Sequence, residues 1–456
     1  MIKIFNHYFH KRTLLQICFD LSLLLLAVLA LVVSNVGDTV ATYPSFLTTF
    51  FTLAAGFVVL SAAFGFYQRG SDRSLVQSTA RSLLVWLLML PLMYSVSRHM
   101  HDPQTFGLLL ASMLLLMLML RVYAIHDKKS LMLRQRVLVF GVGERAKMVG
   151  AALTHADPNV DLIGYYAGPN EADAKDTVWG LLSMTNSLTD IVMDQQVDEI
   201  VVALTERRGG AMPMRELLDC KLQGVRVVDI ATHFERTLGQ IRLESVSAGW
   251  LIFGDGFGSG WIRGLVKRVF DIVCSIALLL LTLPIMLITA VLIVLESGFP
   301  VLYFQERVGL NGRLFNVVKF RSMRADAEKD GKPRWASAQD DRVTKVGRII
   351  RKLRIDELPQ LFSVLSGTMS LVGPRPERPF FVDKLTQEIP YYAVRHSVKP
   401  GVTGWAQVRY QYGSSVEDAA EKLQYDLYYV KNHSLFLDIL VLFETVGVVL
   451  MRRGAQ

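Results

Sequence analysis

Cysteine is scarce in this 456-residue chain: there are three, Cys18, Cys220 and Cys274, and no two form a Cys-x-x-Cys pair. Neither a disulfide framework nor a zinc site is indicated. Charge is scarce too, at 20% of residues against 51% hydrophobic, with a mean hydropathy of +0.33. The apolar residues are unevenly spread, which points to membrane segments at one end joined to globular parts. No nucleic-acid-binding motif accompanies the net charge of +8. The basic balance therefore suits an anionic membrane face or a phosphorylated substrate, and no nucleic-acid partner is expected.

Four apolar runs occupy the first 130 residues: Leu14–Val33, Phe46–Phe66, Ser82–Val96 and Thr105–Tyr123. The first follows Lys11-Arg12 and is long for a signal peptide, so it reads as a retained anchor. Lys and Arg are missing from Ser34–Ser45, and Arg98 is the only one in Ser97–Gln104. Lys11, Arg12, Arg69, Arg73, Arg81, Arg121, Lys128, Lys129, Arg134 and Arg136 fall on the other side. The positive-inside rule then gives four spans with both ends cytoplasmic. They carry no charged pair that would mark a pore, and read as anchor and assembly surface.

Arg136-Val-Leu-Val-Phe-Gly141-Val-Gly143-Glu-Arg-Ala146 reads as strand, glycine turn and helix. Val197–Leu204 and Val225–Asp229 look like further buried parallel strands, giving a Rossmann-like domain over 134–248. The glycine motif alone is weak support for a dinucleotide, and the acid that should end the second strand is missing. Asp161 precedes the strand Leu162–Ala167. A scaffold or a regulatory ligand site is favoured over a bound nicotinamide, so no cofactor-binding residue is assigned. Gly249–Gly264, with six glycines and two tryptophans, reads as a linker near the membrane.

A fifth apolar run, Val269–Leu295, carries Pro284 near its middle. By length it could span, but everything after it would then lie outside the cell. Pro284 removes a backbone hydrogen bond, and the Thr282 hydroxyl can satisfy a freed carbonyl. The expectation is a helix that enters, breaks at Leu283-Pro284 and returns to the same face. A kinked spanning helix is the alternative.

The chemistry is concentrated at Asp356-Glu357, which follow Lys345, Arg348, Arg351, Lys352 and Arg354. Adjacent acids cannot face the same way on a strand or a helix. One can face a substrate while the other holds a metal or an orienting partner. A carboxylate among cations is expected to stay ionised, and can then attack phosphorus. Lys319-Phe-Arg321 and Gly373-Pro-Arg375 add cations suited to phosphate oxygens. A solvated salt-bridge network would explain any one of these charges, but not the three clusters together.

The stretch from Lys267 to the C-terminus resembles the bacterial sugar transferase family, the monotopic polyprenyl-phosphate phosphoglycosyltransferases. The matching words are Lys267-Arg-Val-Phe-Asp271, Phe304-Gln-Glu-Arg-Val-Gly309, Lys319-Phe-Arg-Ser-Met323 and Asp356-Glu-Leu-Pro-Gln360. They continue with Met369-Ser-Leu-Val-Gly-Pro-Arg-Pro376, Lys399–Gln407 and Asp426–Asn432. The whole chain is similar to the long members, and Cys220–Asp229 with Gly413–Asp418 resemble the branch associated with exopolysaccharide export and exosortase systems. The architecture this implies is a membrane α-helical N-terminal bundle (1–130), an α/β Rossmann-like middle domain (134–248), a linker (249–264) and an α+β monotopic phosphoglycosyltransferase domain (265–456). The last contains a re-entrant membrane helix over 267–296.

The resemblance implies that Asp356 attacks the β-phosphorus of a UDP-sugar, with Mg²⁺ present and Glu357 as metal ligand or metal-orienting group. UMP leaves, and undecaprenyl phosphate then takes the sugar-phosphate. Lys319, Arg321, Arg351 and Arg375 are the expected phosphate contacts. Asp438 is expected to be structurally paired or to serve the metal site, in that order, and His396 to be structural. The expected setting is the bacterial cytoplasmic membrane, with the catalytic domain on its cytoplasmic face and a homodimer through the membrane and middle domains compatible with the chain. The sugar expected first is glucose or galactose. A rival enzyme, a membrane-anchored nucleotide-sugar dehydratase or epimerase, usually needs Tyr-x-x-x-Lys, which does not occur. A non-catalytic scaffold of the export machinery would not be expected to keep Asp356, Glu357, Lys319 and Arg375 together.

Overall fold

Long apolar runs become helices because only a helix satisfies its own backbone groups without water. Three such helices open the chain: Lys11–Ser34, Tyr43–Ala63 and Leu75–Ser97. At 1.5 Å per residue each is about 30–36 Å long. The computed structural model describes residues 2–4, 7–9, 11–34, 43–64, 66, 75–97, ten positions of 104–119, 135–156, 160–168, 180–182, 187–204, 212–246, 251–252, 256–258, 260–324, 342–410, 413 and 415–450. The loops expected at 35–42 and 98–103 lie outside these residues. So do the basic positions Arg69, Arg73, Arg121, Lys128, Lys129 and Arg134, and part of the linker. The ten positions of 104–119 are helical. Val85, Met89, Leu110 and Leu114 are buried while Leu26, Phe51 and Leu87 are exposed, so both faces of these helices are apolar.

Two short strands, β1 (Ile2–Ile4) and β2 (His7–Phe9), pair with each other. The chain divides into two compact units whose main boundary lies between Leu238 and Gly239, the second also taking the short segments Lys3–Tyr8 and Ala62–Gly65. In the first, β3 (Gln135–Phe140), β4 (Val160–Tyr166), β5 (Glu199–Val202) and β6 (Arg226–Asp229) form a parallel sheet in the order β4-β3-β5-β6. Val137, Val139 and Val201 face Ala146 and Val149 of the helix Glu144–Ala156. The alternate residues Leu138, Phe140 and Ile200 face Leu188, Ile191 and Leu217 on the other side. A sheet covered on both faces needs these continuous apolar strands. Gly141 (φ +131°) follows β3 so closely to the Ala203 backbone, 3.0 Å from where a Cβ would stand, that only glycine fits. Asp161, expected just before the second strand, is its second residue; that strand ends at Tyr165-Tyr166 and carries no acid there.

The second unit begins ten residues before the domain end read from the sequence. Trp405 Nε1 donates to the Gly239 carbonyl (2.8 Å), and Gln240 Nε2 donates to Gln424 Oε1 (2.9 Å). Ile241 is fully buried in the core with Leu361, Leu371, Trp405 and Tyr428. A helix of 37 residues, Trp261–Ser297, follows. Its first turn takes Trp261–Gly264 out of the expected linker. Among the described residues it is the one helix long and apolar enough to cross a membrane. Asp271, Ser275, Met286, Thr289 and Ile293 form its buried stripe, while Leu281 and Leu295 are 75% and 77% exposed.

The break expected at Leu283-Pro284 is not a break in this helix, which stays helical at every residue. Pro284 has no N–H for the Leu280 carbonyl. The Thr282 hydroxyl donates instead to the Leu278 carbonyl (2.7 Å), the reach ordinary for a helical threonine.

After the helix, β7 (Leu302–Val308) and β8 (Leu314–Phe320) form an antiparallel hairpin, turned by Asn311 and Gly312 at positive φ. The strands β9 (Ser370–Val372) and β10 (Gly401–Thr403) pair in parallel. The C-terminal helix Leu435–Leu450 packs onto the unit: Leu437 and Val441 are in its core. Glu444 pairs with Arg409 (2.7 Å). The preceding helix, Val416–Asn432, starts with a capping box in which Ser415 and Asp418 satisfy each other's backbone N–H groups. Ser415→Ala should lower stability by about 1 kcal/mol. Thermal unfolding of the variant beside the wild type checks this, and an unchanged midpoint would mean the box is dispensable.

Candidate active site

Asp356 and Glu357 sit between two short helices. Thr344 caps Lys345–Lys352 by accepting from Gly347 N (2.9 Å). The chain leaves that helix through Arg354, which is left-handed at φ 58°. That reversal makes a single tight turn, Ile355–Glu357, before the helix Gln360–Ser366 begins. Both acids are buried.

The surrounding cations converge on one oxygen of one acid. Glu357 Oε1 lies 2.8 Å from Arg375 Nη2, 3.4 Å from Lys319 Nζ and 3.7 Å from Arg354 Nη1. Asp356 Oδ1 is buried with no hydrogen-bond partner among the described residues. The pair is thus divided, one acid held by cations and the other with a buried oxygen that has no partner among the described residues. Burial alone would raise the Glu357 pKa, but Arg375, Lys319 and Arg354 outweigh it and hold the acid below the usual carboxylate range. Burial, then Glu357 itself, pushes Asp356 up to about 6 against the same cations. The ionised form expected at Asp356 is kept above about pH 6, while the cations serve its neighbour. Burial pushes the Lys319 pKa down, opposed by Glu357.

The loop carrying Arg375 is fixed from several sides. Gly373 N donates to the Thr403 carbonyl (2.9 Å), and Gly401 N to the Pro374 carbonyl (3.0 Å). A Cβ at Gly373 would run into the Lys399 carbonyl. Buried Arg395 donates from Nη2 to the Arg375 carbonyl (2.8 Å) and is bound by Asp426 (2.8 Å). Arg307 donates to the Pro376 carbonyl (3.0 Å) and pairs with Glu377 (3.3 Å).

Of the expected phosphate contacts, Lys319 and Arg375 are thus brought to the acids. Arg321 and Arg351 are not. Arg321 Nη2 donates to Ser297 Oγ (2.8 Å) and to the Ser297 and Gly298 carbonyls, closing the C-terminus of the long helix. Its Nε and Nη1 are buried without partners among the described residues. Arg351 makes no ion pair with Asp356 or Glu357 among the described residues; Arg354 takes that place, and the spacing of the basic run gave no signal for it. Arg307 and Arg395, which hold the loop, were also missed as working residues.

Asp438 takes the first of its two expected roles. Lys267 Nζ lies 2.7 Å from Oδ2, and the Tyr429 hydroxyl donates to Oδ1 (2.6 Å). Both oxygens are engaged. His396 is buried and its pKa is pushed down to about 4 by burial and by Arg395, which keeps it neutral near pH 7.

Among the described residues no three His, Cys, Asp or Glu side chains form a metal cluster. A hard divalent cation needs less, since Mg²⁺ takes one or two carboxylates and fills its shell with phosphate oxygens and water. Glu357, a carboxylate beside Asp356, fits that need.

Residues 262–452 match a family model described as bacterial sugar transferase. An N-acetylgalactosaminephosphotransferase of Aeromonas hydrophila, named for UDP-N-acetylgalactosamine and undecaprenyl phosphate, is 45% identical over 242 residues, 53% of this chain and 56% of that protein. The chain thus spans little more than half of that relative. The uncharacterized sugar transferase EpsL of Bacillus subtilis is 44% identical over 192 residues, 42% of this chain and 91% of that protein. A UDP-glucose:undecaprenyl-phosphate glucose-1-phosphate transferase of Caulobacter vibrioides is 45% identical over 195 residues, 42% of this chain and 72% of that protein. With the two acids divided as they are and relatives covered over most of their length, the chain belongs to the bacterial sugar transferase family.

Proposed function

We propose that this protein moves a sugar-1-phosphate from a UDP-sugar to undecaprenyl phosphate at a membrane surface. The observation that carries the proposal is the unpartnered Oδ1 of Asp356 beside a Glu357 held by three cations. In the first step that oxygen forms a bond to the β-phosphorus of the UDP-sugar. The bond to the bridging oxygen breaks, and UMP leaves with the electron pair. In the second step a phosphate oxygen of undecaprenyl phosphate attacks the same phosphorus, and the Asp356 carboxylate is released. The product is undecaprenyl-diphosphate-sugar. No proton has to leave the nucleophile.

Lys319, Arg354 and Arg375 have a cost to offset: donor and acceptor are both anionic, and a covalent intermediate keeps them from meeting directly. Glu357 would also hold Mg²⁺, which when bound neutralises charge on the diphosphate. Arg321 would offer its two unpartnered N–H groups to phosphate only by turning from the helix end.

The long helix supports a monotopic seat. Near its start, Arg268 donates to the Val364 and Leu365 carbonyls. At its end, Glu296 accepts from Lys345 N and Val346 N. Both ends, and a stripe between them, belong to one unit, whereas a crossing helix would have to leave about 30 Å of its length clear of its own domain in hydrocarbon. The exposed apolar side is what would enter one leaflet. We read the parallel sheet of the first unit as a Rossmann-like scaffold, and the N-terminal helices as anchors in the cytoplasmic membrane.

UMP release from UDP-N-acetylgalactosamine, UDP-glucose and UDP-galactose, with undecaprenyl phosphate and Mg²⁺, tests the proposal. Release with one donor, together with a mass gain of one sugar-phosphate on the protein when acceptor is withheld, is the expected result. A NAD-linked change in the sugar would point to the dehydratase reading, and no turnover of any donor to a scaffold.

The raised pKa of Asp356 also sets a pH dependence. The attacking form is the carboxylate, which is lost as pH falls through about 6. Donor kcat/KM measured from pH 5 to 8 should therefore have an acid limb centred near 6. A limb centred near 4, the ordinary aspartate range, would contradict the burial effect.

A further inference from the structure

A cavity of about 390 Å³, lined by neither of the two acids, lies where two helices begin. Ile262, Arg263 and Val266 line it from the start of Trp261–Ser297, and His433, Ser434 and Leu435 from the start of the C-terminal helix. The first helix begins at Gly260 with no side-chain cap. In the second, Ser434 Oγ accepts from Leu437 N (3.2 Å). Both helices present the positive ends of their dipoles to the same space, which favours an anion.

The charges on the wall are unequal. Lys267 also lines the cavity, but its ammonium is committed to Asp438 and to the Val372 carbonyl (3.3 Å). Arg263 makes no ion pair among the described residues, so it is the cation this space has to offer. His433 is 6% exposed, and its Nδ1 is engaged by the Val430 carbonyl (2.9 Å). Its Nε2 has no partner among the described residues, and with Nδ1 donating it is an acceptor. Burial lowers the pKa of this ring, so it adds no charge. The rest of the lining is apolar, and the helix that carries Arg263 runs on into the exposed apolar side.

We infer that this cavity binds the head of an anionic membrane lipid that carries a phosphate and a hydroxyl, as phosphatidylglycerol does. Arg263 and the two helix starts take the phosphate, His433 Nε2 accepts from the hydroxyl, and the acyl chains lie along Ile262 and Val266. The inference does not depend on the transfer reaction.

The test is native mass spectrometry of the delipidated full chain, titrated with phosphatidylglycerol or phosphatidylcholine. A parallel arm adds millimolar inorganic phosphate as competitor. A charge-assisted contact of the ordinary size predicts phosphatidylglycerol bound about tenfold tighter. Arg263→Gln should bring the two lipids to within about twofold, while Arg313→Gln, at an exposed cation in the hairpin turn, should change nothing. A photoactivatable phosphatidylglycerol should label peptides covering 260–267 and 433–435 of the wild-type chain, a readout that survives if Arg263→Gln fails to fold. Equal binding of the two lipids, an equal loss in Arg313→Gln, or labelling elsewhere would overturn the inference. Displacement by inorganic phosphate would mean a free-phosphate site and would overturn its lipid half.

Discussion

Asp356→Asn is expected to abolish UMP release, by a factor on the order of 10⁴ or more, as removal of a covalent nucleophile does. Asparagine keeps the volume and one carbonyl oxygen but cannot hold the sugar-phosphate. The variant should also fail to gain mass from the UDP-sugar when acceptor is withheld. Folding should not suffer, and the direction can be worked out. Asp356 has a folded pKa raised from 3.8 to about 6. The folded chain therefore binds more protons than the unfolded one between those values. Its charged form costs stability as pH rises through that window, and the full cost is present above it. A neutral isostere removes that cost, so the thermal midpoint at pH 7.5 should equal or exceed that of the wild type. Residual UMP release near the wild-type rate would exclude Asp356 as the attacking group. A fall in midpoint together with lost activity would leave the nucleophile untested by this variant, and the mass-gain experiment on the wild type would then decide.

Arg395→Met should have the largest effect on stability. The guanidinium is buried and donates in three directions: to Asp426 from Nε (3.0 Å), to the Tyr392 hydroxyl from Nη1 (3.0 Å) and to the Arg375 carbonyl from Nη2 (2.8 Å). It also lies over the Tyr392 ring, 5.2 Å from the centroid. Taking it away leaves Asp426, only 2% exposed, as an unpaired acid in the core. Breaking such a pair costs about 3–5 kcal/mol. Because the same group pins the loop that presents Arg375, activity should fall even where the fold survives. The double variant Arg395→Met/Asp426→Leu should regain much of the stability but not the activity. If the single variant melted with the wild type, the pair would be stabilising neither the core nor the loop.

The two acids, Lys319 and Arg375 were legible as a site because their residue types and ordered words survive any choice of geometry. The parallel sheet was legible too, since fully buried strands must read as continuous apolar runs. What the sequence could not carry was the direction of each side chain at a chain reversal. Arg351 lies in the last turn of a helix, while Arg354 follows it in a left-handed turn that swings its guanidinium to Glu357. Lys319 and Arg321 are two apart and would share a strand face, but β8 ends at Phe320 and Arg321 leaves for the helix terminus. The unit boundary failed for a related reason. Gly239 and Gln240 are held by Trp405 and Gln424, partners more than 160 residues away, and no local pattern records so distant a contact. Pro284 misled in the other direction: a missing hydrogen bond weakens a helix without obliging it to stop.

The long apolar helix grips both neighbours of the turn that carries the two acids, Glu296 at the head of Lys345–Lys352 and Arg268 at the tail of Gln360–Ser366. It is therefore a jig as much as a tether. A water-soluble version made by starting the chain after Gly298 would lose both clamps at once, exposing bare N–H groups at one end and bare carbonyls at the other. The turn between them would have no frame to hold its two acids apart. On the function proposed above, catalytic geometry and lipid attachment could not be engineered separately in this protein.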